Sequence, residues 1–109
     1  MDRLRAFRYF AMLAQTLNFS ETANHFGVPS SSVSRRIKDL EVDLGAALFI
    51  RTTRSVSLTE LGKVYLNEIK TALQSIDLAD EMVKAQSSVP TGNVRITAMP
   101  GYAELYVFP

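Results

Sequence analysis

From Thr59 to about Ser87 the chain carries no proline and a sustained helical pattern. Thr59 has the side chain of an N-cap, and Glu60 suits the positive end of a helix. The expected element is a single helix of about 28 residues, or about 42 Å. The whole chain has 109 residues, about one small domain, and a helix of that length is too long for the interior of one. Its apolar residues Tyr65, Ile69, Ala72, Ile76, Ala79 and Val83 recur at alternating spacings of four and three. That is the seam of a helix that pairs with another helix. These six residues are the expected dimerisation seam, and the expected partner is a second copy of the chain.

The segment before this helix divides into four shorter elements. Leu4, Phe7, Phe10, Ala11, Leu13, Ala14 and Leu17 predict a first helix over about 3–17 with one apolar face. Asn18-Phe19-Ser20 interrupts it, Ser20 is the expected N-cap of a short second helix over 21–26, and Gly27 is placed to end that helix in the left-handed conformation. Val28-Pro29 reads as extended chain, and Ser30, Ser31 and Ser32 offer several caps for a third helix. Val33, Ile37, Leu40 and Leu44 give that helix one buried stripe ending before Gly45. The opposite face carries Ser31, Arg35 and Lys38, flanked by Ser32, Ser34, Arg36 and Asp39. Residues 47–50 and 56–58 read as two short strands around the basic tip Arg51-Thr52-Thr53-Arg54-Ser55, a β-hairpin. After the long helix, Ser87 to Gly92 reads as a hinge, and Val94, Ile96 and Ala98 alternate as a strand with no partner left in the chain.

Composition excludes several classes of chemistry. With no cysteine there is no disulfide scaffold, thiolate zinc site or cysteine nucleophile, and the single His25 cannot by itself build a histidine metal site. No metal and no cofactor are expected. His25, late in the second helix, reads as a surface or capping residue, and Phe7, Phe10, Phe26 and Phe49 read as core aromatics. Asp39, Glu41 and Asp43 have no basic or nucleophilic partner that the sequence brings near them, so acid–base catalysis is unsupported and the chain is not expected to be an enzyme. No apolar run reaches the roughly 20 residues that span a bilayer, which points to a soluble, cytoplasmic protein with no membrane partner. Charge is uneven: residues 1–58 carry eight Lys/Arg against five Asp/Glu, and residues 59–109 carry four against six. A basic first half hints at a nucleic-acid face.

Helix, sharp turn, helix over 20–44, with small Ala23 at the helix crossing and Gly27 in the turn, is an arrangement that exposes the start of its second helix to a DNA major groove. The hairpin beside it places Arg51 and Arg54 within reach of phosphates or a narrow minor groove. The fold class expected from these elements is mainly α: a winged helix-turn-helix of three helices and a β-hairpin wing, followed by a long dimerisation helix.

The stretch Phe19-Ser20-Glu21-Thr22-Ala23-Asn24-His25-Phe26-Gly27-Val28, then Val33-Ser34-Arg35-Arg36-Ile37-Lys38-Asp39-Leu40-Glu41-Val42-Asp43-Leu44-Gly45, then Leu48-Phe49-Ile50-Arg51-Thr52-Thr53-Arg54 and Leu58-Thr59-Glu60-Leu61-Gly62 resembles the DNA-binding domain of LysR-type transcriptional regulators in order and spacing. The resemblance implies three segments: a DNA-binding domain over 1–58, a linker helix over 59–88, and a hinge with the start of a truncated effector-binding domain over 89–109. It implies a sequence-specific regulator that binds an interrupted palindrome in double-stranded DNA as a dimer. A tetramer and a small-molecule effector are implied only for a longer parent. The resemblance maps the family's DNA-reading positions onto Ser30, Ser31, Ser34 and Arg35 at the start of the third helix and onto Arg54 on the wing; Ser32, Arg36 and Lys38 on the same helix, with Arg51 and Thr53 on the wing, complete the expected DNA-contacting set. The family usually has Gln followed by Pro or Ser where this chain has Ser30-Ser31. A serine hydroxyl cannot make glutamine's bidentate contact with adenine, so the docking mode carries over and the base preference at that step does not. The competing expectation is an interaction module whose linker helix pairs with a longer relative and modulates it.

Overall fold

A computed structural model of the chain describes residues 2–87. Its elements are α1 (Arg3–Thr16), α2 (Phe19–Phe26), α3 (Ser30–Leu44), β1 (Phe49–Arg51), β2 (Val56–Leu58) and α4 (Glu60–Ser87). The two strands pair antiparallel with Phe49 opposite Leu58 and Arg51 opposite Val56, and form the wing. The architecture is the mainly helical, winged helix-turn-helix one expected from the sequence. The expected hinge after Ser87 and the strand at Val94 to Ala98 lie outside the described residues.

The compact unit built from α1 to the first half of α4 ends at Gln74, and a second begins at Ser75. In the first unit, Phe10, Leu13, Val33, Ile37, Leu40 and Leu48 are fully or almost fully buried. Each contributes about 1.5–3 kcal/mol of hydrophobic stabilisation. Phe10 lies at the centre, its ring 5.6 Å from Phe49 and 5.2 Å from Tyr65. Of the expected core aromatics, Phe10 and Phe49 are buried, and Phe7 and Phe26 are partly buried against the same cluster.

Local chemistry sets the helix ends, and it corrects two expected caps. The N-cap of α2 is Asn18, whose Oδ1 accepts from the Glu21 backbone N–H at 2.8 Å, so Ser20 stands inside the helix. Leu17 ends α1 in the left-handed conformation (φ 53°), and the reversal it makes puts Asn18 in capping position. At α3 the N-cap is Pro29, with no side-chain cap bond, so Ser30 to Ser32 occupy the first turn without capping it. The buried face of α1 also differs from the expected stripe. Ala6 and Tyr9 are buried, and Leu4 and Leu17 at its ends are about two-fifths exposed. The Tyr9 ring lies 4.8 Å from the Phe26 ring, and the Arg36 guanidinium stands 6.0 Å from its centre.

The glycines expected to end α2 and α3 do so. Gly27 and Gly45 have φ of 66° and 71°, and in each case the following residue donates back across the helix end: Val28 N–H to Ala23 O and Ala46 N–H to Glu41 O. That pairing satisfies carbonyls a helix end leaves open. Ala23, expected at the helix crossing, is buried in the core cluster.

Candidate nucleic-acid interface

Of the expected stripe, Val33, Ile37 and Leu40 are completely buried, whereas Leu44, in the last turn before Gly45, is 39% exposed; the three buried residues fix the rotation of α3 about its axis. The opposite stripe, Ser31, Arg35 and Lys38, is therefore exposed, as are Ser30 and Asp39. Ser32, Ser34 and Arg36 sit at the flanks and are half-buried. A groove of about 380 Å³ beside this face is lined by Ser31, Ser32, Arg35, Arg36 and Asp39. Asp39, expected at the flank of this face, is the acidic member of that lining.

Among the described residues, Arg35, Lys38 and Arg54 have no carboxylate partner. Cations held next to short hydroxyl side chains, with no internal ion pair to break, are suited to phosphate oxygens and base edges. Arg36 differs, because its guanidinium lies against Tyr9.

The wing tip is shaped by one hydroxyl. Thr52 Oγ1 accepts from the Arg54 and Ser55 backbone N–H groups at 3.2 and 2.9 Å, and Thr52 N–H donates to Ser55 O at 2.9 Å. Thr53 and Arg54 project from this closed turn, both exposed. Arg51 is placed differently from Arg54. Its Nη2 donates to Glu41 Oε1 at 3.2 Å and its guanidinium lies 5.2 Å from the centre of the Phe19 ring.

Glu41 and Asp43, expected to lack basic partners, both have one. Glu41 pairs with Arg51, and Asp43 pairs with Arg3 at the start of α1. Glu41 is the residue of structural consequence that the sequence reading passed over. Ten residues separate it from Arg51, and the chain reversal at Gly45 brings the two together. His25 is exposed, edge-on to Phe26. No group of three or more potential metal ligands occurs among the described residues, and no helix among them is long and apolar enough to cross a membrane.

The six seam residues of α4 divide into two sets. Ile69 is buried in the chain's own core and Tyr65 packs against that core. Ala72, Ile76, Ala79 and Val83 are exposed, as are Leu78 and Met82 alongside them.

Comparison with known proteins identifies the scaffold. The family model of the bacterial regulatory helix-turn-helix proteins of the lysR family matches residues 4–63. Over all 109 residues the chain is 36% identical to the uncharacterised HTH-type transcriptional regulator YhjC of Escherichia coli, and 33% identical to an HTH-type transcriptional repressor of Pseudomonas aeruginosa. The chain spans only about a third of those relatives: 36% and 34% of their lengths. Among solved structures it is similar to the BenM DNA-binding domain in complex with a catB site DNA. There the TM-score is 0.74 at 29% identity, covering 78% of this chain and 94% of that one. Full-length CbnR complexed with its target DNA gives a TM-score of 0.69 at 27% identity, covering 74% and 28%. With the family model matching residues 4–63, more than half of its length, this chain belongs to the lysR family of bacterial regulatory helix-turn-helix proteins.

Proposed function

We propose that this chain is the DNA-binding part of a transcription regulator that reads double-stranded DNA as a dimer. The observation that carries the proposal is the exposed face of α3, where Arg35 and Lys38 have no carboxylate partner among the described residues and stand among Ser30, Ser31 and Ser34. In this reading α3 enters the major groove. Ser30, Ser31, Ser32 and Ser34 meet base edges and phosphates, Arg35 and Lys38 supply the main charge, and Arg36 contributes from the flank. Thr53 and Arg54 on the wing follow the backbone into the flanking minor groove, where a narrow groove concentrates negative potential. The DNA complexes of the similar BenM and CbnR proteins support DNA as the partner of this fold.

The dimer would be built on α4 through Ala72, Ile76, Ala79 and Val83, because Tyr65 and Ile69 are engaged in the chain's own core. Two α3 helices held this way would read an interrupted palindrome. Replacing Ile76 and Val83 together by lysine should give monomers in sedimentation velocity and lose binding to a two-half-site duplex. A double variant that remains dimeric would place the interface elsewhere.

The test of the reading as a whole is selection of bound duplexes from a random library at about 0.15 M salt, where counterion release no longer favours nonspecific binding. A two-fold symmetric motif is the expected result, and its bases opposite Ser30 report what a serine accepts at that step. Recovery of no motif by folded protein would refute sequence-specific reading by this chain.

A further inference from the structure

We infer that Glu41 is the positioning residue of the wing and that Arg51 belongs to its holding device, leaving Arg54 as the wing's DNA-facing cation. The inference rests on the DNA-binding reading above. A hairpin with three residues in each strand is too short to set its own orientation, since an isolated two-stranded ribbon is at best marginally stable in water. Its placement comes from what grips its base. Glu41 Oε2 accepts from the Leu48 and Phe49 backbone N–H groups at 2.7 and 3.2 Å, and Oε1 accepts from Arg51. Arg51 in turn lies over Phe19, the first residue of α2. One carboxylate thus joins the C-terminal half of α3 to the entry of β1, and the guanidinium extends that link to α2.

The Glu41 side chain is only 17% exposed. Losing its charge would leave a backbone donor short of a partner as well as breaking the ion pair, which makes the grip stronger than an ordinary surface salt bridge. The fold does not depend on it alone, because Leu48 and Phe49 are buried and Thr59 N–H holds Leu48 O at 3.0 Å. Glu41 therefore fixes where Arg54 stands relative to Arg35, so that helix and wing meet the duplex as one rigid surface.

The test is a double-mutant cycle on affinity for a fluorescein-labelled duplex of fixed sequence. It is titrated across salt concentrations with all variants shown to be folded by circular dichroism. Arg54→Ala should weaken binding and lower the salt slope by about 1. Glu41→Gln should reproduce most of that loss, and the double variant should fall little further, because the two changes disable one contact. Amide spectra give the second readout: in Glu41→Gln the Leu48 and Phe49 N–H signals should shift and exchange faster while those of α1 stay in place. Additive effects of Glu41→Gln and Arg54→Ala would overturn the positioning role. A further drop in slope when Arg51→Ala is added to Glu41→Gln would show Arg51 on phosphate, and would overturn its assignment to the grip. An Arg54→Ala protein with unchanged affinity and slope would refute the wing's part in the DNA-binding reading itself, and the positioning role with it.

Discussion

Gly62→Ala should destabilise the protein, against the direction of helix propensity. Alanine in a helix interior is favoured over glycine by about 1 kcal/mol, and Gly62 lies in the first turn of α4. A Cβ built there would overlap the Leu48 carbonyl oxygen, and would stand 2.9 Å from Leu58 Cδ2 and 3.1 Å from the Leu48 carbonyl carbon. The Leu58 methyl can turn away, but the carbonyl cannot, because it already accepts the Thr59 N–H at 3.0 Å. The neighbouring Ala47 O is held by Thr59 Oγ1 at 2.8 Å, and Thr59 Oγ1 itself accepts from Gly62 N–H at 2.9 Å. Relief requires α4 to lift from the base of the wing. Overpacking of this kind costs about 1–3 kcal/mol, and the loss of the Thr59–Leu48 bond adds about 1 kcal/mol. Set against the propensity gain, the net effect is a loss of about 2 kcal/mol. In urea unfolding the midpoint should fall by about 1 M, and the Tm by about 10 °C, at one protein concentration because oligomers unfold in a concentration-dependent way. Gly27→Ala is the control: its Cβ meets nothing within 4 Å, so it should cost only the left-handed backbone penalty of about 1 kcal/mol. A Gly62→Ala protein as stable as the parent would refute the close approach of α4 to Leu48.

Two other perturbations probe separate parts of the fold. Asn18→Ala removes the cap of α2 and should cost about 1 kcal/mol in denaturant unfolding, whereas Ser20→Ala, inside the helix, should change stability by no more than about 0.5 kcal/mol; the reverse ranking would restore Ser20 as the cap. Burial pushes the Tyr65 phenol above its ordinary value of 10.0, with Arg3 pulling it back and Asp43 adding to the rise. Because the folded value is the higher one, the stabilisation is complete below pH 10 and is lost as pH climbs through the folded value. The Tm should therefore drop between pH about 9 and about 11 more steeply in the parent than in Tyr65→Phe, and equal slopes would count against the burial.

What could be seen in advance depended on whether the deciding forces were periodic. The buried stripe of α3 repeats at helical spacing, so Val33, Ile37 and Leu40 declared both the helix and, by subtraction, the polar face carrying Arg35 and Lys38. Gly27 and Gly45 were legible for a related reason: each follows a periodic segment, and each adopts the positive φ that only glycine adopts without strain. The caps were harder, since Asn18 and Ser20 have equal chemical claims, and the choice fell to Leu17, a non-glycine residue in a left-handed turn that no pattern announces. Tyr9 was overlooked because its ring is amphipathic and its burial depends on Phe26 and Arg36, which come from other helices. The Glu41–Arg51 pair was invisible for the same reason in stronger form, since it exists only after the chain has reversed at Gly45. Within α4, a seam pattern reads the same whether its residues face a partner or the chain's own core, and Ile69 shows the second use.

The turn that Thr52 closes on Ser55 has a consequence for how such a protein can change over generations. The backbone N–H groups of Thr52, Arg54 and Ser55 are all held within the tip, while the side chains of Thr53 and Arg54 are exposed and take no part in those bonds. Those two positions can accept new side chains at almost no cost to folding, much as a tool accepts a different bit in an unchanged chuck. Leu48, Glu41 and Gly62, at the wing's root, have no such freedom. Altered target preference should therefore be gained most cheaply at positions 53 and 54, and a library confined to that pair should yield folded proteins at a far higher rate than one aimed at the root.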